Sequence, residues 1–249
     1  MEGLSQLGLR IEKIGSATAL MMSSVDVGDF NRVFGVGIEE PATEGLIDRI
    51  MALYAPSGNT YIVHVDPAAL PAALLGWLEQ RGFKWGGNIV RLYRDAAEPP
   101  DIATDLRVES IGPEYAGAFA DAGLAAFGMP AHLRPWPLSI VGRPSWRNYL
   151  AFDRDKPVAI ASLRVQDGVG WLGNGATLPE YRRRGAQGAL MSRRIRDGID
   201  MQCEWFVTET DEETADHPNP SYHNMLRLGF RPAYLRANYV ATPPAQVEA

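Results

Sequence analysis

The stretch Tyr181-Arg182-Arg183-Arg184-Gly185-Ala186-Gln187-Gly188-Ala189-Leu190 constrains this chain more than any other. A strand-like run, Trp171–Leu178, and a proline turn at Pro179-Glu180-Tyr181 precede it. After it, Leu190, Met191, Ile195 and Ile199 recur at helical spacing. Three arginines therefore run into small residues that open an apolar-striped helix. The first turn of a helix carries N–H groups without internal partners, and its dipole makes that end partly positive. Gly185 and Ala186 bring little bulk, so an anion can approach those donors, and the arginines add planar charged forks suited to phosphate oxygens. The segment predicts a diphosphate cradle in a fold that alternates strands with helices, an α/β sheet with ligands near the strand ends.

The 249 residues suffice for two modest domains or one large one. The proline-bearing, polar Asp95–Asp101 follows a strand-like Asn88–Arg94 and marks a boundary. The halves on either side share a signature near their ends. Leu78-Glu79-Gln80-Arg81-Gly82-Phe83 in the first resembles Met225-Leu226-Arg227-Leu228-Gly229-Phe230 in the second, each a helix stopping at a glycine before a β-rich segment. This predicts a duplicated fold with residues 1–95 as an N-terminal domain, 96–104 as a linker, 105–241 as the second domain and 242–249 as a flexible tail. Within the second half the pattern predicts a helix over Glu114–Phe127, an irregular connection over Pro130–Trp146 and strands at Tyr149–Phe152 and Val158–Val165. Further strands are expected at Trp171–Leu178 and Trp205–Thr210, and a helix at Ser221–Leu228.

Charge and motifs narrow the function. A formal charge of −6 argues against general nucleic-acid binding and makes the local arginine run a specific anion signal. Cys203 is the sole cysteine, which excludes an internal disulfide or a cysteine-rich metal site. Glu2 and the absence of a basic-then-apolar start speak against a secretory signal. No apolar run approaches the roughly 20 residues that cross a bilayer. A cytoplasmic protein without membrane or nucleic-acid partners is expected, as a monomer or homodimer. Gly168-Val169-Gly170-Trp171-Leu172-Gly173 matches G-x-G-x-x-G but precedes a strand instead of opening a helix, so it reads as a hairpin turn. There is no P-loop and no H-E-x-x-H. His217 beside Asp216 lacks further ligands at metal-site spacing, and no metal is expected.

Gly175–Leu190 closely resembles the acyl-CoA-binding segment of the GCN5-related N-acetyltransferases (GNATs), where a strand leads into an Arg/Gln-x-x-Gly-x-Gly/Ala loop and a helix. The match is Arg182-x-x-Gly185-x-Gln187, with glutamine where a small residue is usual. Ser221–Phe230 looks like the family's helix ending in Gly-Phe that lines pantetheine and thiol. The resemblance covers Leu106–Val240. It implies two GNAT-like domains, each a mixed, mostly antiparallel sheet flanked by helices, with the acyl-CoA motif only in the second. Phe34-Gly35-Val36-Gly37-Ile38 in the first half is a glycine turn without arginines, so that half is read as a degenerate domain that completes the acceptor cleft.

By this resemblance acetyl-CoA is the co-substrate. Ala176, Thr177 and Leu178 would offer backbone groups to its pantetheine, and Arg183, Arg184, Gly185, Ala186, Gln187, Gly188 and Ala189 would hold the diphosphate. Ser221 and Asn224 would line the arm. The resemblance also implies an acetyl-CoA-dependent N-acetyltransferase, in which an amine on a small molecule or peptide attacks the thioester directly in a ternary complex. The alternative is an acyl-CoA-binding sensor without turnover. Met225 stands where many relatives place a tyrosine that protonates the leaving thiolate. Tyr222 is either a substitute acid or a packed aromatic, and a thiol with a pKa of about 8.5 can leave unaided. Glu209, near the end of its strand, is the candidate base or a solvent-facing strand residue. Asp211, Glu212, Glu213 and Asp216 continue the acidity, and His132 lies in the irregular connection.

Overall fold

The computed structural model describes residues 2–242, and the expected tail lies almost wholly outside them. The chain folds as two compact units, one built from residues up to Val90 and from Tyr234 onward, the other from Arg91–Ala233. Its passage from the first to the second falls inside a strand, and so does its return. The boundary thus lies a few residues before the proline-bearing segment that marks it in the sequence, and the last strand from Tyr234 groups with the first unit.

The first unit contains α1 (Glu2–Gln6), β1 (Leu9–Ile14), β2 (Ala17–Met22), β3 (Arg32–Phe34), α2 (Glu44–Tyr54), β4 (Tyr61–Val65), α3 (Leu74–Gln80) and the start of β5 (Lys84–Asp95). β1, β2 and β3 are antiparallel neighbours, whereas β3 and β4 run parallel and α2 provides the crossover. Ile47, Ile50 and Tyr54 fall on one face of α2 at spacings of three and four and pack against Val33, Val63 and Tyr61 of the sheet. The Tyr54 and Tyr61 rings stack at 4.2 Å, and the Tyr54 hydroxyl donates to the Leu20 and Arg32 carbonyls at 2.8 and 3.1 Å, so the aromatic core keeps no orphaned polar group there.

The second unit continues with β6 (Arg107–Ile111), α4 (Ala116–Phe127), α5 (Pro135–Leu138), β7 (Trp146–Asp153), β8 (Lys156–Gln166), β9 (Val169–Thr177), α6 (Ala186–Asp200), β10 (Trp205–Asp211), α7 (Pro220–Arg227) and the start of β11 (Arg231–Ala241). β6 to β9 form an antiparallel meander, and β10 joins β9 in parallel with α6 as crossover. The β8–β9 turn consists of Asp167 and Gly168, both at positive φ (50° and 73°), the two-residue hairpin geometry that the Gly168 signal predicts. Short helical turns at Ala131–Leu133 and α5 occupy part of the connection expected to be irregular. The core joins Phe119 of α4 to Leu150, Phe152 and Ile160 of the sheet.

Element order repeats between the units: β2-β3-α2-β4-α3-β5 in one, β8-β9-α6-β10-α7-β11 in the other. The shared helix exit repeats atom for atom. Phe83 N–H donates to Leu78 O and Phe230 N–H to Met225 O, both at 3.1 Å, across Gly82 and Gly229 at φ 85° and 83°. Both phenylalanines are buried.

Candidate active site

The site begins where two parallel strands part. β9 and β10 are registered only through Val169↔Trp205, Gly170↔Phe206 and Trp171↔Val207. One side-chain link follows, from the Thr208 hydroxyl to the Leu172 carbonyl at 2.9 Å. Beyond it β9 runs on to Thr177 along β8 alone. A bulge interrupts that second ladder: Ser162 faces Gly173 while Ile160 faces Ala176, so Ala161 stands opposite two residues, Asn174 and Gly175. Asn174 takes the left-handed conformation (φ 52°), which asparagine tolerates better than most residues. Its amide donates to the Ser162 hydroxyl at 3.2 Å, and that hydroxyl donates to buried Asn148 at 2.8 Å. The bulge is thus pinned from beneath.

A cleft of about 720 Å³ opens along this strand end. It gathers Gly175, Ala176 and Thr177 of β9, Arg182 and Arg183, the first turn of α6, and Pro220, Ser221 and Asn224 of α7. Of the residues expected to hold acyl-CoA, Ala176, Thr177, Arg183, Gly185, Ala186, Gln187, Gly188, Ser221 and Asn224 therefore line one cavity. Three do not. Leu178 is buried, with its N–H donating to Val158 O at 2.9 Å, and Ala189 already makes the first internal helix bond, to Gly185 O at 3.0 Å.

Arg184 is the third. Its Nε donates to Asp105 at 3.1 Å, and its terminal nitrogens reach both Asp105 and, at 3.3 Å, Asp153. The two carboxylates raise the guanidinium pKa by hydrogen bonding, and the Arg184 hydrogen bond lowers that of Asp105. Arg184 thus staples the loop to the start of β6 and the end of β7 instead of presenting charge to the cleft. Arg183 takes the exposed position, at φ 64°, and forms no ion pair among the described residues.

The glycines also make room for a second segment. Gly185 sits at φ 82°, and a Cβ there would overlap the Ala103 carbonyl oxygen. One at Gly188 would come within 3.0 Å of Ile102 Cγ2. Both faces receive residues 102–104, part of the segment expected as a linker. That segment is a strap along α6: Thr104 Oγ1 donates to Arg184 O at 2.7 Å, Ser192 Oγ to Pro100 O at 2.8 Å, and Arg196 to Glu98 and Asp101 at 2.6 Å each. Ile102 itself lines the cleft. Gly185 offers no side chain to cap α6, so the donors of its first turn have no side-chain partner.

Gln187, where a small residue is usual, turns away from those donors. Its Nε2 donates to the Ser221 hydroxyl at 2.6 Å, Asn224 donates to its Oε1 at 2.7 Å, and Arg227 donates to Asn224 Oδ1 at 2.8 Å. The glutamine ties the two helices that border the cleft. Asn219 caps α7 by accepting from Ser221 and Tyr222 N–H, and its amide donates to Thr210 and Asp211 of β10.

The two catalytic candidates are not brought into this cleft. Glu209 is paired with Arg91 at 2.5 Å, and the half-buried Tyr222 packs edge-on against His223 at 6.0 Å between centroids; neither lines the cavity. Met225 is a core residue. Among the described residues no cluster of His, Cys, Asp and Glu could hold a metal ion, and no helix is long and apolar enough to cross a membrane.

A buried charged lining residue escaped the sequence reading. Arg194 falls between Met191 and Ile195, inside the apolar stripe of α6, and is only 2% exposed. A charged residue at a core-facing helical position is itself a signal, because burying one requires a specific set of partners.

A mixed sheet with a parallel crossover, a bulged strand and an uncapped helix start together frame the cleft. Residues 117–230 match the profile of the acetyltransferase (GNAT) family. Solved structures extend the likeness. A GCN5-related N-acetyltransferase from Kribbella flavida aligns with 99% of this chain and 93% of its own, with a TM-score of 0.65 at 18% identity. One from Sphaerobacter thermophilus covers 91% of this chain and 76% of its own, at 0.66 and 16%. A tandem GNAT protein from the clavulanic acid biosynthesis pathway covers 92% and 79%, at 0.64 and 14%. No curated protein matches the sequence.

Proposed function

We propose that the chain is an acyl-CoA-dependent N-acyltransferase, with acetyl-CoA as donor and an amine on a small molecule or peptide as acceptor. The observation that carries this reading is the uncapped first turn of α6, flanked by exposed Arg183 and opening into the same cleft as the parted strands. The family match supports acyl transfer in general. In this reading the N–H groups of Ala186–Gly188 and the Arg183 guanidinium bind the diphosphate, and the backbone of Gly175–Thr177, which β10 does not pair, aligns the pantetheine. Acyl-CoA supplies a thioester carbon open to direct attack by an amine. Backbone N–H groups of the bulged strand orient the thioester and stabilise negative charge on its oxygen. The thiolate leaves without help from Met225.

Acetyl-CoA and CoA should each raise the melting temperature, and Arg183→Glu should sharply reduce the shift. Arg184 and Gly185 suit this purpose poorly, because the one holds two carboxylates and the other faces the strap. No shift with either ligand in the wild type defeats the reading. A second reading, an acyl-CoA sensor without turnover, is favoured by the absence of Glu209 and Tyr222 from the cavity lining. Thiol release with a panel of amines, peptides and aminoglycosides separates the two.

A further inference from the structure

A guanidinium has five N–H donors. Arg194 spends three of them on neutral carbonyls: Nε on Leu190 O at 3.1 Å, and one terminal nitrogen on Ser162 O at 2.9 Å and Gly173 O at 3.1 Å. Ser162 and Gly173 flank the bulge, so these bonds fix its shape. The other terminal nitrogen, Nη2, has no hydrogen-bond partner among the described residues. It is also the one heavy atom within 4 Å, at 3.8 Å, of the position a side chain would take at exposed Gly175. The open space before Gly175 therefore ends on an unused charged donor at the cleft wall.

Among the described residues no carboxylate answers this charge. Asp197, one turn along the helix, is taken by the Tyr149 hydroxyl at 2.9 Å and by Arg193 at 2.8 Å. Burial pulls the Arg194 pKa down to about 10, which still leaves it cationic at neutral pH. Fixing three carbonyls does not require a full charge, and a buried cation without a counter-ion is costly to keep. The surrounding wall, with Ile160, Ala161 and Ala126, is apolar and strengthens any ion pair formed there.

We infer that Arg194 binds a carboxylate of the substrate at the acyl-transfer point, through Nη2 across the open face of Gly175. The inference rests on the donor site proposed above. The carboxylate can come from the donor, as the distal acid of a dicarboxylic acyl thioester, or from the acceptor, as an amino acid or its relative.

Calorimetric titration with CoA, acetyl-CoA, malonyl-CoA and succinyl-CoA tests the donor source. Steady-state kinetics with acetyl-CoA and the pair β-alanine and propylamine tests the acceptor source. Either a tenfold or greater preference for a carboxyacyl thioester over acetyl-CoA, or a tenfold lower KM for β-alanine, is expected in the wild type. The preference should vanish in Arg194→Gln. Because that variant removes a buried side chain and can fail to fold, Gly175→Val is the companion: it keeps the arginine and its carbonyls but fills the space before Nη2. Its CoA affinity serves as the reference for each ratio. If CoA binds and neither source shows a carboxylate preference, with or without turnover, the inference is overturned and Arg194 only braces the bulge. If no CoA species binds, the donor site fails and this inference falls with it.

Discussion

The helices α2 and α6 hold the same place in the two halves of the chain, each crossing between parallel strands, yet their N-termini are opposites. α2 starts at Thr43, whose hydroxyl accepts from Leu46 N–H at 3.2 Å, and Glu44 places a negative charge in its first turn. The turn before it is filled by backbone: Ala42 N–H donates to Leu70 O at 2.7 Å and Leu70 N–H to Gly37 O at 2.8 Å. α6 starts at a glycine with no cap, beside arginines, facing a cavity. One helix has a side-chain cap on its positive end, and the other has none. The two halves thus share an element order, down to the helix exits at Gly82 and Gly229, and differ at this helix start.

The contrast can be broken most forcefully at Gly185. Valine there must adopt φ 82° and overlap Ala103 O, which should destabilise the second unit by roughly 3 kcal/mol, read in a denaturant melt. Valine at Gly45 in α2, where no atom lies within 4 Å, should change stability by less than about 0.5 kcal/mol. Next in size, Arg183→Glu should weaken CoA by about tenfold to a hundredfold, or roughly 1.4–2.8 kcal/mol, in calorimetry with the fold intact. Thr43→Ala should cost about 1 kcal/mol of stability and leave CoA affinity unchanged, because uncapping alone does not make an anion site.

The smallest effect is a pH dependence. The Arg184 hydrogen bond lowers the folded-state pKa of Asp105. A depressed carboxylate pKa adds stability that is present above its unfolded value near 3.9 and is lost as pH falls through the folded value. Asp105→Asn should therefore lower the melting temperature slightly at pH 7, and the gap to wild type should close toward pH 3. An unchanged gap at pH 3 would mean that the variant acts through packing.

What the sequence discloses is local. The order of strand, proline turn, arginines, glycine and striped helix around 171–199 is contiguous, and so are the Asp167-Gly168 turn and both helix exits. Seven of the nine cavity-lining residues expected to hold acyl-CoA lie within 176–188, inside that contiguous stretch, whereas Ser221 and Asn224 on α7 are expected only from the family resemblance. Partners distant in the chain are not disclosed. Arg184 is claimed by Asp105, 79 residues away, and Gly185 faces a strap that looks like a linker because prolines and acids resemble a linker in composition. Gln187 looks like a defect in a small-residue loop until Ser221 and Asn224, 34 and 37 residues on, supply its partners. Arg194 is legible in principle, as a charge in an apolar stripe, but its acceptors are carbonyls that only the bulge aligns.

The last strand has a consequence for how the protein is made. β4 pairs with Ala237–Ala241 and its neighbours, and His64 hydrogen-bonds Asn238 across 174 residues of sequence. During synthesis from the N-terminus, β4 must wait for its partner until the whole second unit, which is contiguous from Arg91 to Ala233, has been translated. The half translated first is thus the half completed last, and a chain stopped before Tyr234 would leave β4 an open edge exposed to mispairing with other chains.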